Sequence, residues 1–266
     1  MSHSADLLPE AIRSRLEGEV FARRIYYLHA VDSTNRLAVE LAKSGEAHGT
    51  LVIADHQTKG RGRYDRQWES PAGRSLLFSL ILRPDASPGT VLPVTLAFSL
   101  SIAETLETAL AHEVELKWPN DVLVGGRKIC GILSESSSKI GRSVFVVVGI
   151  GINVNTTMDE FSPDIRAQTT SCYEVTQDAH NRTDLLGKVL GGLESTYDRF
   201  GREGFEGFVE SYEDKLMILN KTVTFRRGGT LSVGLVTGLS KDGGLVIKKS
   251  DDTRVVLYDE EITLSG

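Results

Sequence analysis

The chain has 266 residues, enough for one large domain and a small one, with 40% hydrophobic and 25% charged residues and a formal charge of −6. No apolar run reaches the ~18 residues of a membrane span, residues 1–10 lack the blocks of a secretory signal, and the acidic balance argues against a dedicated nucleic-acid surface. A cytoplasmic protein is expected. Its two cysteines, Cys130 and Cys172, form no metal-ligand or CxxC spacing and read as buried or incidental thiols.

Residues 1–23 form a lead-in, helical at best, with Leu8, Ile12 and Leu16 at spacings near four. A strand follows over 24–31. Asp32, Ser33 and Thr34 supply N-cap chemistry for a helix over 35–42, which Gly45 ends. Residues 50–54 and 75–82 read as strands, and their connection carries Lys59, Arg61, Arg63 and Arg66 interleaved with Gly60 and Gly62. Against a net acidic chain this is a local concentration of positive charge, and its glycines predict a mobile loop. Leu96, Leu100, Ala103, Leu106 and Leu110 mark one face of a long helix. Residues 114–118 lead through Pro119 to a strand at 122–124, and Gly125-Gly126 turns it into another at 128–134. Residues 144–154 read as a buried strand interrupted by Gly149 and Gly151, 156–182 as a polar stretch, and 185–208 as helix. From about 219 the pattern changes to short β runs at 222–226, 231–238, 245–248 and 254–258, with Asp242-Gly243 at a turn: a small barrel of SH3 size.

Four segments carry chemistry. The run Lys59-Gly60-Arg61-Gly62-Arg63 offers guanidinium forks and backbone N–H groups to phosphate or carboxylate oxygens, or is a solvated basic turn. It is neither a Walker A loop nor a dinucleotide fingerprint. Lys117-Trp118-Pro119-Asn120-Asp121 packs a cation, an indole, a rigid proline, an amide and a carboxylate into five positions, where Lys neutralises phosphate and Asn or Asp binds Mg²⁺ or sugar hydroxyls; the alternative is a structural strand end. Gly149-Ile150-Gly151-Ile152-Asn153 is a glycine-relieved strand where a flat ring could approach backbone. Asp32-Ser33-Thr34-Asn35 offers small hydrogen-bonding groups at a helix start, or is a cap. The histidines show no metal-ligand spacing, so no structural metal is expected.

Taken in order, these segments resemble the biotin-protein ligase family. The serine-threonine-asparagine motif is Ser33, Thr34 and Asn35; the glutamine before the loop is Gln57; the loop is Gly60-Arg61-Gly62-Arg63, followed by Trp68. The Lys-Trp-Pro-Asn-Asp block is unchanged at Lys117 to Asp121, and the later lysine is Lys128, ahead of Gly131-Ile132-Leu133. Many relatives continue the loop with a second Gly-Arg pair; here Tyr64-Asp65 precede Arg66, which puts the Asp65 charge beside the expected phosphate site.

The resemblance implies an α/β (α+β) catalytic domain over 24–218, with a mixed sheet and flanking helices related to class II aminoacyl-tRNA synthetases, and an SH3-like barrel over 219–266. It implies ATP-dependent activation of biotin to biotinyl-5'-AMP, with Mg²⁺, and transfer to a lysine of a biotin carboxyl carrier protein. Lys117, Arg63 and Lys128 would be catalytic. Ser33, Thr34, Asn35, Gln57, Gly60, Arg61, Gly62, Arg63, Lys128 and Gly131 would hold biotin. Arg61, Arg63, Arg66, Trp68, Lys117, Asn120, Asp121 and Asn153 would hold ATP or the adenylate. The ~24 residues ahead of the first strand are too few for the helix-turn-helix domain of bifunctional relatives, so a monofunctional type without DNA or membrane contacts is expected, with a homodimer left open. The rival expectations are a lipoate-ligase-like acyl-adenylate transferase and a regulator that senses biotinyl-AMP.

Overall fold

The computed structural model describes residues 7–16, 20–84, 91–139 and 142–264, without the side chains of Asp65 and of residues 138, 139 and 142–144. The lead-in holds a short helix, α1 (Pro9–Arg13), that buries Ile12 against the core, so this segment is part of the packed domain. Next come β1 (Ile25–Val31), α2 (Thr34–Lys43), β2 (Thr50–Gln57) and β3 (Ser75–Leu82). The helix α3 (Val91–Leu110) leads into β4 (Glu115–Lys117), β5 (Asp121–Val124), β6 (Arg127–Lys139) and β7 (Arg142–Asn153). The polar stretch that follows is not irregular throughout: it folds into α4 (Pro163–Arg166) and α5 (Cys172–Thr176), too short for a periodicity to register.

The expected helix over 185–208 divides. α6 (Arg182–Glu203) stops at Gly204, whose φ of +63° ends the helix, and a tight turn leads to α7 (Val209–Lys215). The last segment supplies β8 (Thr222–Arg227), β9 (Thr230–Leu239), β10 (Leu245–Lys248), β11 (Arg254–Leu257) and a fifth strand that the sequence pattern did not reveal, β12 (Ile262–Leu264).

Strands β1 to β7 form one sheet in the order β1-β2-β3-β7-β6-β5-β4. Only β1 and β2 run parallel, because α2 crosses between them; the other neighbours are antiparallel, so the sheet is mixed as expected. Helices cover both faces, which explains why β3 is buried at every position. On one face Leu76, Phe78, Leu80, Val146, Val148, Ile150 and Ile152 join α3 and α6 in the main core. On the other, Val52, Ile81, Phe145 and Val147 pack under Ala38 and Ala42 of α2. Strand parity therefore sends Ser79, Gly149, Gly151 and Asn153 to the α2 face.

By length and mean hydropathy α3 is long and apolar enough to cross a membrane, but its residues are mostly buried between the sheet, α6 and α7. Strands β8 to β12 make the second, antiparallel sheet, order β11-β10-β9-β8-β12, in the place expected for the barrel. Gly125 and Gly126, with φ of +55° and +72°, form the expected tight turn between β5 and β6.

Candidate functional site

The apolar alternation of β7 and β6 runs out where the sheet emerges from under α2, and there the strands present glycine instead of side chain. The cavity that opens at this point holds about 670 Å³ and is lined by β6, β7, the start of α2, the Arg-Gly loop, the Lys117 to Asp121 block and residues 260–264 of the small domain. All the expected site residues line it except Gly60, which sits behind: a Cβ there would meet the Trp68 carbonyl at 2.4 Å.

The floor is polar and buried. Ser33, Thr34 and Asn35 are at most 4% exposed. Ser33 occupies the N-cap position of α2, but no side chain caps the helix; Asp32 Oδ1 accepts from the Ser33 N–H at 2.7 Å instead, and Ser33 lines the cavity. The capping expected of these residues is thereby corrected: the Asp32 carboxylate takes the Ser33 N–H and pairs with Arg36, and the Thr34 hydroxyl donates to Gln57. The N–H and hydroxyl of Thr34 donate to Gln57 Oε1 at 2.7 and 3.0 Å. Asn35 donates through Nδ2 to the Leu133 carbonyl at 2.9 Å and to Glu135 Oε2 at 3.0 Å. Ser79, fully buried beneath the floor, lies with its hydroxyl 2.9 Å from Thr34 Oγ1 and 2.7 Å from Asn35 Oδ1.

Trp68 forms an aromatic wall. Its ring lies where Cβ atoms at Gly131 and Gly151 would come within 2.9 and 2.6 Å, so those two glycines admit the indole to the sheet face. The Lys128 ammonium lies 5.4 Å from the ring centroid and 2.6 Å from Asp121 Oδ1. Asn120 is fixed by donating to the Ile132 carbonyl at 2.9 Å. Asn153 donates to the Thr170 carbonyl at 3.0 Å, while its Oδ1 is buried without a partner among the described residues. A buried orphan acceptor facing a cavity is a group that a ligand N–H would satisfy.

The cations converge from two sides. Lys117, at the end of β4, is exposed and has no ion-pair partner among the described residues. From the loop, Arg61 pairs with Glu135 at 3.0 Å, Arg63 reaches the Asp259 carbonyl at 2.8 Å and Asn120 at 3.4 Å, and Arg66 pairs with Glu261. Tyr64 donates to the Asp259 carbonyl and stacks near Arg63, 4.9 Å from guanidinium carbon to ring centroid. Its φ of +55° is a left-handed conformation that a glycine would take without strain. The loop, expected to be mobile, is thus held against the edge of the small domain, and the Asp65 side chain expected near the phosphates lies outside the described residues. Ser79, Glu135, Asp259 and Glu261 escaped sequence reasoning: each lies outside a recognisable motif. The one legible signal was a carboxylate, Glu135, at the end of an apolar strand.

The small domain docks directly behind this block. Trp118, 2% exposed, donates its indole N–H to the Gly243 carbonyl at 3.0 Å, and the Trp118-Pro119 peptide is cis. The two thiols bear out the bland reading: Cys130 and Cys172 are buried, and burial pushes the Cys172 thiol up to about 12 and the Cys130 thiol higher still.

Residues 27–153 match the biotin/lipoate A/B protein ligase family, and residues 218–258 the biotin protein ligase C terminal domain. A biotin--[acetyl-CoA-carboxylase] ligase of Paracoccus denitrificans is 30% identical over 237 residues, 86% of this chain and 96% of that protein. The bifunctional ligase/repressor BirA of Bacillus subtilis is 31% identical over 253 residues, 95% of this chain and 78% of that protein. Among solved structures, a biotin protein ligase from Aquifex aeolicus in complex with biotin and ATP superposes with a TM-score of 0.80 at 32% identity, covering 91% of this chain and all of that one. Both sheets, the motifs on their cavity edge and these similarities agree, and the chain belongs to the biotin protein ligase family.

Proposed function

We propose that the chain joins biotin to ATP, forming biotinyl-5'-AMP and pyrophosphate, and then transfers the biotinyl group to a lysine of a biotin carboxyl carrier protein in the cytoplasm. The observation that carries this reading is the convergence of Lys117, Lys128 and the loop arginines on one cavity whose floor is the hydrogen-bonding set Thr34, Asn35 and Gln57. A carboxylate and a triphosphate repel each other, so the reaction needs a cationic enclosure; a ureido ring needs fixed donors and acceptors, and this cavity supplies both.

In the first step a biotin carboxylate oxygen attacks the α-phosphorus and the bond to the β-phosphate oxygen breaks. Lys117 and Arg63 would face the α-phosphate and the biotin carboxylate, Lys128 the carboxylate or acyl oxygen, and Arg61 the biotin tail. Preorganised donors of this kind are worth ~10²- to 10³-fold each in rate. Ser33, Thr34, Asn35 and Gln57 would take the ureido ring, while Trp68, Asn153, Asn120 and Arg66 would hold the nucleotide. Mg²⁺, when bound, screens the leaving phosphates. The described residues contain no cluster of three His, Cys, Asp or Glu, and the carboxylate of the block, Asp121, is paired with Lys128; the ion would accordingly enter with the triphosphate as part of the substrate. In the second step a neutral acceptor amine attacks the acyl carbon, AMP leaves, and the amine loses a proton.

The test is to mix the protein with ATP, Mg²⁺, an acceptor domain and either biotin or lipoate, and weigh the acceptor. A mass gain with biotin is expected. Gain with lipoate alone, or with neither, would overturn the reading. Lys117→Ala should abolish biotin-dependent pyrophosphate release, and unchanged release would remove this lysine from the mechanism.

A further inference from the structure

We propose that Glu135 is a positioning residue for the adenylation step, a single carboxylate that ties the arginine loop to the polar floor of the cavity. The proposal rests on the biotin and ATP reading above. Parity puts Gly131, Leu133 and Glu135 of β6 on the same face, and Glu135 stands where that row passes from the cavity toward α2. Its two oxygens have different partners: Oε2 accepts from Asn35 Nδ2 at 3.0 Å and Oε1 from Arg61 Nη1 at 3.0 Å.

Counting donors shows why the charge matters. Both N–H bonds of the Asn35 amide are spent, on the Leu133 carbonyl and on Glu135, which fixes Asn35 Oδ1 toward Ser79. The Thr34 hydroxyl proton is spent on Gln57, so Thr34 Oγ1 and Asn35 Oδ1 both look to the single Ser79 proton. The two oxygens thus share one proton, and Glu135, together with the Leu133 carbonyl, holds the far end of the Asn35 amide so that its Oδ1 stays turned toward Ser79. The same carboxylate holds Arg61, which is half-exposed and has no other side-chain partner among the described residues. Glu135 accordingly sets both the acceptor pattern offered to the ureido ring and the place of the loop that closes over its carboxylate tail. A surface ion pair alone would have little influence; one whose acidic partner also orders a buried amide acts on both ends of the substrate.

Glu135→Gln keeps the shape but has one acceptor oxygen, so it can serve Asn35 or Arg61 and not both. In biotin-dependent pyrophosphate release, the variant should raise the KM for biotin about five- to tenfold, within the net range of one lost intramolecular hydrogen bond, while the KM for ATP moves less than twofold. Glu135→Asp, one methylene shorter, should show the same split and serves if the first variant folds poorly. The double variant Glu135→Gln/Arg61→Gln should be no worse for biotin than Arg61→Gln alone, because with Arg61 gone the one remaining acceptor oxygen is free to serve Asn35. An unchanged biotin KM in folded Glu135→Gln and Glu135→Asp, equal loss of biotin and ATP affinity, or additive effects in the double variant would overturn the proposal. Failure of the wild-type protein to release pyrophosphate with biotin would instead overturn the reading on which it rests.

Discussion

Gly149 and Asn35 share one volume: a Cβ added to Gly149 would lie 1.9 Å from Asn35 Oδ1. The Asn35 amide can reach Leu133, Glu135 and Ser79 only because β7 has no side chain there. Gly149→Ala should displace the amide, cost ~1–3 kcal/mol of stability as an overpacked core, and raise the biotin KM more than the ATP KM. Chemical denaturation and initial rates would check both; an unaltered biotin KM would separate Asn35 from substrate binding.

The loop is closed on itself by the Gly62 N–H, which donates to the Arg66 carbonyl at 2.7 Å, with Gly62 at φ −121°. Proline there deletes the donor and demands φ near −65°. Gly62→Pro should leave the fold intact and release biotinyl adenylate into solution, because a loop that fails to order no longer shields the mixed anhydride from water. Rapid filtration of the enzyme after single turnover would measure the escaped intermediate; retention at the wild-type level would contradict the shielding role.

Trp118 couples the Lys117 to Asp121 block to the small domain through the Gly243 carbonyl. Trp118→Phe strands that carbonyl and removes the indole N–H, with an expected cost of ~1–3 kcal/mol. Differential scanning calorimetry should show the whole protein losing stability in one transition. Separate melting of the small domain at the wild-type temperature would show the contact to be incidental.

Beneath the sheet, Arg182 and Asp55 form an ion pair at 3.1 Å with both side chains 1% exposed, and Tyr27 donates to the other carboxylate oxygen at 2.5 Å. Arg182→Met leaves a buried carboxylate without its guanidinium partner, so a loss of ~3–5 kcal/mol is expected from urea unfolding. Arg182→Met combined with Asp55→Asn should recover part of it.

His48 sits among Phe21 and Tyr197, with Nδ1 accepting from the Arg83 N–H at 3.1 Å. Burial lowers its pKa below the ordinary 6.5, with Asp198 and Glu194 opposing the shift. The unfolded chain takes up the proton first, so this stabilisation is complete above about 6.5 and is lost as pH falls below it. Melting temperatures between pH 7.5 and 5.5 should fall less steeply in His48→Gln than in the wild type; parallel slopes would exclude this histidine.

Sequence alone determined the order of elements and most of the chemistry, because these depend on local pattern. Alternation and glycine punctuation predicted β3 at its observed bounds, the Gly125-Gly126 turn and four of the five strands of the small domain; the ordered motifs led to the family. What it could not determine was which groups meet. Ser79 lies 44 residues from Asn35, Glu135 lies 100 away, and Asp259 lies 196 from Arg63, distances at which no periodicity links one residue to another. The same local reading assigned Ser33 and Thr34 to a helix cap, since capping is the use a short-range pattern supports. Only the assembled sheet, which presses α2 onto a strand face emptied by Gly149 and Gly151, turned those hydroxyls into the floor of a cavity and gave the loop arginines partners from a different domain.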